Sequence, residues 1–240
     1  MTNGLYFTRK DIFEDASRLN KDFKESQLQR YINNLIESEE IIRIGRNQYS
    51  YVYHRVLREY EAPLSDECKK IIELLNNDFH YLDYQVWELS WLNEFNNHLL
   101  SRNKVFVEVE NDACGFIFFN LENHFPSQSL IKPTSKELDY YGKDKTIIVN
   151  RLISEAPSNN HIACLEKIIV DLFSNKILKE MVSKGDYAEI IENMFFKYKI
   201  NQKALFRYAR RRNKEDEIRE FITKNTMVKL DWREIYDQEG

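Results

Sequence analysis

The stretch of sequence that decides how the chain begins to fold reads Ser26-Gln27-Leu28-Gln29-Arg30-Tyr31-Ile32-Asn33-Asn34-Leu35-Ile36. Its apolar residues recur at i, i+3, i+4, i+7 and i+8, the spacing that places one apolar stripe on an α-helix. A shorter helical stretch precedes it after Phe7, and residues 41–51 read as two short strands that meet at Gly45-Arg46-Asn47. A short helix, a second helix with a polar face and a basic β-hairpin, in that order, predict a winged helix-turn-helix.

The polar face of the second helix is rich in side chains that can read DNA bases. Arginine forms paired hydrogen bonds with guanine, and asparagine or glutamine with adenine. Two arginines of the hairpin are available for phosphate. The predicted DNA-binding residues are Ser26, Gln27, Gln29, Arg30, Asn33, Arg43, Arg46 and Asn47. The alternative is a protein-docking module with a solvated helix, although such a helix more often exposes Glu and Lys.

A winged helix usually has three helices, and only residues 1–6 precede the first helix here. Residues 65–77 predict a further helix that begins behind a Ser65 cap. Its apolar face consists of Cys68, Ile71, Ile72 and Leu75. We expect this helix to supply the missing packing partner. The sequence thus predicts a winged helix-turn-helix domain over residues 1–60 and a second domain over residues 61–240.

Beyond residue 63, short strands alternate with helical stretches. Strands are predicted at residues 84–89, 105–109, 129–131 and 146–149, with helices at residues 91–100 and 112–121. From residue 162 the pattern is helix after helix, over residues 165–178, 187–198, 202–212 and 214–223. The predicted fold class is α+β: the winged helix-turn-helix, then an α/β layer, then a C-terminal set of helices.

The composition limits the classes of partner. The chain has 240 residues, of which 42% are hydrophobic, and a formal net charge of −4, so any nucleic-acid contact must depend on local patches. Cys68, Cys114 and Cys164 lie far apart among apolar neighbours, which is typical of reduced core thiols. No leader is evident, and no apolar run approaches the ~20 residues of a membrane span. We therefore expect a soluble, cytoplasmic protein.

One local patch is strongly basic. Residues 197–214 contain eight Lys or Arg residues and no acidic residue. Arg207, Arg210 and Arg211 share one face of a predicted helix, with Lys203 one turn earlier, whereas Leu205, Tyr208 and Ala209 lie nearer the other face. Like charges one turn apart repel each other, so this pattern predicts an exposed surface for a partner or for nucleic acid. The alternative is a structural helix that is neutralised by acids elsewhere in the chain.

Enzyme signatures are weak. The sequence has no Gly-rich phosphate loop, and its five histidines lack metal-ligand spacing. The best catalytic candidate is a Mg²⁺ site of Glu88, Glu108 and Glu110, but the Lys that a restriction-type nuclease core needs is missing. Lys167 and Asp171 favour a structural ion pair, the alternative being that Asp171 orients a neighbouring loop. We predict no catalytic residue, no metal and no cofactor.

Several of these features together resemble a known family. They are the arginine-containing hairpin that ends at Tyr49, the run Leu165-Glu166-Lys167-Ile168-Ile169-Val170-Asp171-Leu172 and the run Arg207-Tyr208-Ala209-Arg210-Arg211-Arg212. With the winged helix and the α/β region, they resemble the antitoxins of type IV toxin–antitoxin systems, the AbiE abortive-infection systems, and their uncharacterised relatives. The family more often has a second glycine just before the hairpin Tyr.

The resemblance implies a DNA-binding transcriptional regulator that represses its own operon at its own promoter. It also implies an antitoxin that opposes a nucleotidyltransferase toxin encoded beside it, in phage defence. Two other classes stay open. One is a metal-dependent nuclease or nucleic-acid-processing protein of a phage-defence system, and the other is a protein-docking adaptor whose winged helix never meets DNA. The sequence does not predict the oligomeric state.

Overall fold

The computed structural model describes residues 7–38, 40–51, 57–100 and 102–230, and the chain divides into two units. The N-terminal unit consists of Met1–Glu59 and Glu192–Lys199, and the central unit consists of Tyr60–Ile191 and Ile200–Gly240. Both units combine helices with strands, so the α+β class is confirmed. Residues 61–240 were predicted as one domain, whereas residues 192–199 belong to the N-terminal unit.

The N-terminal unit contains β1 Phe7–Thr8, α1 Arg9–Leu19, α2 Glu25–Glu37, β2 Ile41–Gly45 and β3 Gln48–Tyr51. Its strands form an antiparallel sheet in the order β1-β3-β2. Helix α1 begins after Thr8 because the Thr8 hydroxyl accepts the Asp11 N–H at 3.3 Å, while the Asp11 carboxylate accepts the Thr8 N–H at 2.7 Å. This reciprocal cap satisfies two backbone donors at the start of the helix.

The core of the N-terminal unit joins both helices to the hairpin. Its buried residues are Ile12, Leu28, Ile32, Ile41 and Tyr49. Leu28 and Ile32 are 2% and 1% exposed, so the predicted apolar stripe of α2 is confirmed. The chain reverses between β2 and β3 at Asn47, whose φ of 52° lies in the left-handed region that asparagine tolerates.

The helix predicted at residues 65–77 is α3, Asp66–Asp78. The Ser65 hydroxyl accepts the Cys68 N–H at 3.1 Å, which confirms the predicted cap. The buried face of α3, however, belongs to the core of the central unit, where Cys68, Ile71 and Leu75 lie among the valines of a large sheet. The expectation that this helix completes the N-terminal unit was therefore wrong, because the large sheet offers it a wide apolar surface to cover.

The second segment of the N-terminal unit comes from Glu192–Lys199. Tyr198 pairs with Arg58 in a parallel β-bridge, and the Lys199 N–H donates to the Arg58 carbonyl at 2.9 Å. The Lys199 ammonium lies 3.3 Å from the Glu59 carboxylate. Local periodicity does not predict this pairing, because the paired residues are far apart in the sequence.

The central unit is built on a six-stranded sheet in the order β6-β7-β5-β4-β9-β8. The strands are β4 Tyr84–Glu88, β5 Lys104–Val109, β6 Ser129–Ile131, β7 Thr146–Arg151, β8 Ser158–Asn159 and β9 Ile162–Ala163. Strands β6, β7 and β5 run parallel, whereas β4 is antiparallel to β5. The four strands that the sequence predicts in this region are confirmed.

The helices after α3 are α4 Cys114–His124, α5 Ser135–Tyr141, α6 Leu165–Ser174, α7 Lys176–Met181, α8 Tyr187–Lys197, α9 Gln202–Arg211 and α10 Glu215–Asn225, and the second half of α8 belongs to the N-terminal unit. The single helix predicted over residues 165–178 is broken at Asn175, because its side chain caps α7 by accepting the N–H groups of Ile177 and Leu178. The helix predicted at residues 91–100 is a 3-10 helix, Leu89–Glu94. No helix among the described residues is long and apolar enough to cross a membrane.

Side-chain alternation gives the large sheet two different faces. Val86, Val107 and Val149 belong to the core that α3 and α4 share. Trp87 and Phe106 face the other way, and their rings stack with centroids 4.2 Å apart. Because residues two apart on a strand share a face, Glu108 joins Phe106 on this second face. Glu108 thus places a buried carboxylate beside the stacked aromatic rings of the second face.

Thiol reactivity tests the burial of the central core. Burial raises the pKa of the Cys68 thiol far above its usual range, and the Glu88 carboxylate raises it further. Cys68 and Cys114 are 0% and 1% exposed, whereas Cys164 is partly exposed. We expect a disulfide reagent to modify Cys164 in the native protein and the other two thiols only on unfolding, because the thiolate is the reactive form. Rapid labelling of Cys68 in native Cys164→Ser protein would contradict this burial.

Candidate nucleic-acid interface and buried charge cluster

Helix α2 presents a continuous polar face to solvent. The predicted base-reading residues that it carries are all exposed: Ser26, Gln27, Gln29, Arg30 and Asn33. Leu28 and Ile32 point into the core and fix the rotation of the helix about its axis. The apolar stripe therefore determines which side chains a ligand meets.

The polar side chains of α2 do not all have the same role. The Gln27 side chain accepts the Lys24 N–H at 2.9 Å and so caps its own helix. Gln29 accepts from Arg9 Nη1 at 2.5 Å and donates to the Asn33 side-chain oxygen at 3.0 Å. This chain of hydrogen bonds fixes the orientation of both amides. The sequence analysis missed Arg9, because it lies on α1 and no local pattern connects it to α2.

Arg30 is the single charged residue from Gln27 to Asn34. Within the described part of the chain it forms neither an ion pair nor a hydrogen bond, and its side chain is exposed. A guanidinium with five unused donors in a planar fork is suited to a guanine edge or to a phosphate.

The two hairpin arginines differ in their surroundings. Arg46 lies exposed in the turn between β2 and β3. Arg43 is half-buried, and its Nε donates to the Gly45 carbonyl at 3.3 Å. Asn47 is exposed, and its carbonyl accepts the Arg9 N–H at 3.3 Å. Arg46 is therefore the arginine of this turn that is available to a phosphate, and Arg43 holds the turn in shape.

Helix α9 carries the basic face in the central unit. The helix begins after Asn201, whose side chain accepts the Ala204 N–H at 3.0 Å and whose N–H donates to the Glu166 carboxylate on α6 at 2.6 Å. The side chains of Arg207 and Arg210 are 65% and 69% exposed. Lys203 and Arg211 are exposed as well, whereas Leu205, Tyr208 and Ala209 are buried. The predicted division between the two faces of this helix is confirmed.

Acidic residues of the same chain neutralise part of this face. Arg210 contacts Glu215 at 2.8 and 3.3 Å, and Arg207 lies 3.7 Å from Glu155. Arg211 donates to the Ser154 hydroxyl at 2.8 Å. Exposed ion pairs of this kind contribute little to stability and exchange readily for another anion. Because Lys203 and Arg211 have no acidic partner among the described residues, the face keeps an excess of positive charge.

Beneath α9 lies a buried charge cluster centred on Lys167. Its ammonium lies 2.6 Å from the Glu108 carboxylate on β5 and 2.5 Å from the Asp171 carboxylate. The three side chains are 0%, 6% and 2% exposed. Although burial alone lowers the pKa of Lys167, its two carboxylate partners outweigh that effect and hold the pKa above the usual range of lysine.

Two residues of the basic segment complete the cluster. Arg212 Nη1 donates to the Tyr208 hydroxyl at 3.1 Å and to the Asp171 carboxylate at 3.4 Å. The Trp87 ring lies 5.1 Å from the Lys167 ammonium. Two cations and two carboxylates balance, so no net charge is buried. The predicted i,i+4 ion pair of Lys167 and Asp171 is present. The inward face of α9 could have indicated Tyr208 as a further partner, whereas no local pattern indicates Glu108.

The three candidate metal-binding carboxylates are not brought together. Glu88 pairs with Val105 on β5, and Glu108 lies three positions further along that strand. Because side chains alternate along a strand, Glu88 and Glu108 lie on opposite faces of the sheet. Glu88 accepts the Ser65 N–H at 2.9 Å and the Asn103 side-chain amide at 2.8 Å, which ties it to the start of α3. Glu110 is exposed beyond the end of β5. Nowhere in residues 7–38, 40–51, 57–100 and 102–230 do three His, Cys, Asp or Glu side chains group as metal ligands would.

Two of the histidines have partners that are distant in the sequence. His161, in the tight turn between β8 and β9, stacks on Tyr84 with ring centroids 4.0 Å apart, and its Nδ1 lies 2.9 Å from the Tyr84 carbonyl. His98 Nδ1 lies 3.1 Å from Asp186. His54 lies outside the described residues.

The buried cluster predicts a large loss of stability when its central cation is removed. Lys167→Met leaves the buried Glu108 carboxylate without its counter-charge and Asp171 with Arg212 alone, and we expect the free energy of unfolding to fall by about 3–5 kcal/mol in a denaturant titration. The matched control is Lys224→Met, which removes an equally short i,i+4 pair with Glu220 that is 68% and 64% exposed. Similar unfolding midpoints for the two variants would contradict the importance of burial.

Comparison with known proteins adds a family but no activity. No curated protein matches the chain. One family model matches residues 27–228, a span that begins within α2 and includes the hairpin, the large sheet, the buried cluster and α9. Because this match covers most of the 240 residues, the chain belongs to DUF6577, a protein family of unknown function.

Proposed function

We propose that the N-terminal unit is a winged helix-turn-helix that binds DNA, and that the protein is a transcriptional regulator. The observation that carries the proposal is the exposed face of α2, whose amides and single arginine are aimed away from a well-formed core. In this arrangement α2 is the recognition helix, and the β2–β3 hairpin is the wing. The element order strand, helix, helix, strand, strand supports it.

The chemistry of the α2 face favours base edges over simple attraction to phosphate. Amide side chains carry no charge, so a face with one arginine gains little from the DNA field. Its value lies in directed hydrogen bonds, since Arg30 can pair with guanine and Asn33 with adenine in the major groove. The Arg9–Gln29–Asn33 chain supports this role, because it holds the Asn33 amide in one orientation before DNA arrives.

The second part of the proposal is that the protein is an antitoxin. The resemblance to type IV antitoxins supports autorepression at its own promoter and opposition to a nucleotidyltransferase toxin encoded beside it. The α9 face of Lys203, Arg207, Arg210 and Arg211 is the surface that we assign to the toxin or to nucleic acid. Its excess of exposed arginine favours a phosphate or an acidic protein surface, because arginine forms bidentate hydrogen bonds with phosphate and carboxylate groups.

The alternative function, a metal-dependent nuclease, has less support. Phosphodiester hydrolysis of that kind needs carboxylates grouped around a metal ion. Glu88 serves the start of α3, and Glu108 serves Lys167, so each has a structural partner already. A nuclease active site would therefore need carboxylates other than Glu88 and Glu108.

The first experiment tests base reading. Arg30→Ala and Asn33→Ala should each lose about 1–3 kcal/mol of binding to the promoter upstream of the gene, with far less effect on random DNA, because each removes contacts to a base edge. Fluorescence anisotropy with both DNAs measures the difference. The matched control is Arg18→Ala on α1, an exposed arginine that lies 3.0 Å from Asp15.

Two outcomes would count against the proposal. Equal losses on promoter and random DNA would mean that α2 contacts phosphate alone. Failure of the wild-type protein to shift promoter DNA at low salt would remove the repressor function altogether.

The second experiment tests the α9 face. Replacement of Arg207, Arg210 and Arg211 by Gln should weaken DNA binding and flatten its salt dependence by about one slope unit for each lost phosphate contact. If the partner is the toxin, the same variant should bind the promoter normally but fail to rescue growth when the toxin is expressed. The control replaces Lys69 and Lys70, exposed on α3, by Gln. A variant that is unaltered in both assays would leave α9 a purely structural helix.

A further inference from the structure

A small cavity opens in the central unit at the start of β5. Its volume is about 240 Å³. One part of its wall is apolar and comes from Leu89, Leu138 and Met181, which belong to the 3-10 helix, α5 and α7. The other part carries the cationic side chains Arg102 and Lys104. The sequence analysis singled out none of these residues, because they come together from distant segments.

Lys104 is a buried cation with little protein around it to balance its charge. The residue is 4% exposed, and its ammonium donates to the Lys143 carbonyl. That carbonyl already accepts the Thr146 hydroxyl at 2.7 Å. No carboxylate of the described residues lies within ion-pair distance of the Lys104 ammonium. An ammonium has three donors, so two of them are left for whatever occupies the cavity.

The electrostatic surroundings also favour an anion. Burial lowers the pKa of Lys104, Asp144 raises it, and the charge of Arg102 lowers it again. The Asp144 carboxylate is engaged elsewhere, because it accepts the Asn103 N–H at 2.7 Å. Asp139 is the one acid on the cavity wall, and it is exposed at the rim. A buried ammonium with unused donors is costly, and an anion in the cavity would accept hydrogen bonds from them.

We propose that this cavity binds a small organic anion, with its carboxylate on Lys104 and Arg102 and a short apolar chain against Leu89, Leu138 and Met181. The cavity is small, with cationic groups on one part of its wall and apolar side chains on the other, which suits a short organic anion. The site lies wholly in the central unit and does not depend on DNA binding by the N-terminal unit.

The experiment uses the full chain and three probes: hexanoate, its neutral isostere hexanamide, and inorganic phosphate. Isothermal titration calorimetry should show saturable binding of hexanoate, with hexanamide roughly 10- to 100-fold weaker, because the amide loses the charge-assisted hydrogen bonds. Phosphate should also bind more weakly, since it leaves the apolar wall uncovered. Lys104→Met should abolish the preference for hexanoate over hexanamide, while the exposed control Lys136→Met on α5 should leave it unchanged.

Arg102→Gln keeps the test decisive if Lys104→Met does not fold, because Arg102 is exposed and its replacement leaves the core intact. This variant should bind hexanoate several-fold more weakly. The proposal is overturned if hexanoate shows no saturable binding, if hexanamide binds equally well, or if both lysine and arginine variants bind hexanoate as the wild type does. Phosphate binding as tight as hexanoate binding would overturn the assignment to an organic anion.

Discussion

The central unit depends on one buried cation, Lys167, whose charge must be balanced by carboxylates of the same chain. Lys167 on α6 holds Glu108 on β5, and through Asp171 it reaches Tyr208 and Arg212 at the end of α9. Lys167, Glu108 and Asp171 are almost fully buried, so each of their charges depends on the opposite charge beside it. The sheet, α6 and the α9 segment are therefore fixed in one mutual arrangement.

Because α9 has a fixed helical period, its buried contacts also determine which of its side chains are exposed. Once Tyr208 points inward at the cluster, Arg207 and Arg210 point outward, because they lie about 100° and about 160° away from it around the helix axis. In the N-terminal unit apolar contacts have the same effect, because burial of Leu28 and Ile32 leaves the amide side chains of α2 exposed to solvent. In both units, the buried side chains of a helix determine which polar side chains of the same helix are exposed.

Local periodicity predicted the elements, and long-range pairing decided their partners. The α2 stripe, the Ser65 cap and the two faces of α9 depend on residues within a few positions of each other, and they could be read from the sequence. The break at Asn175 could have been expected from its capping side chain, but the apolar pattern runs through it. The cavity at Lys104 and the separation of Glu88 from Glu108 depend on which strands pair and in which register, and no local pattern contains that information.

The two exposed polar faces differ in a way that indicates different tasks. The α2 face is almost neutral. In the function that we propose, its selectivity comes from hydrogen bonds, which act only over short distances and distinguish one base edge from another. The α9 face is strongly charged, so it acts over about a Debye length and distinguishes anionic surfaces from others but not one sequence from another. A chain with a net charge of −4 cannot rely on its overall field to reach nucleic acid. In the regulator that we propose, directed hydrogen bonds of the nearly neutral surface on one unit would select the DNA sequence, and the cationic surface on the other unit would hold a second partner.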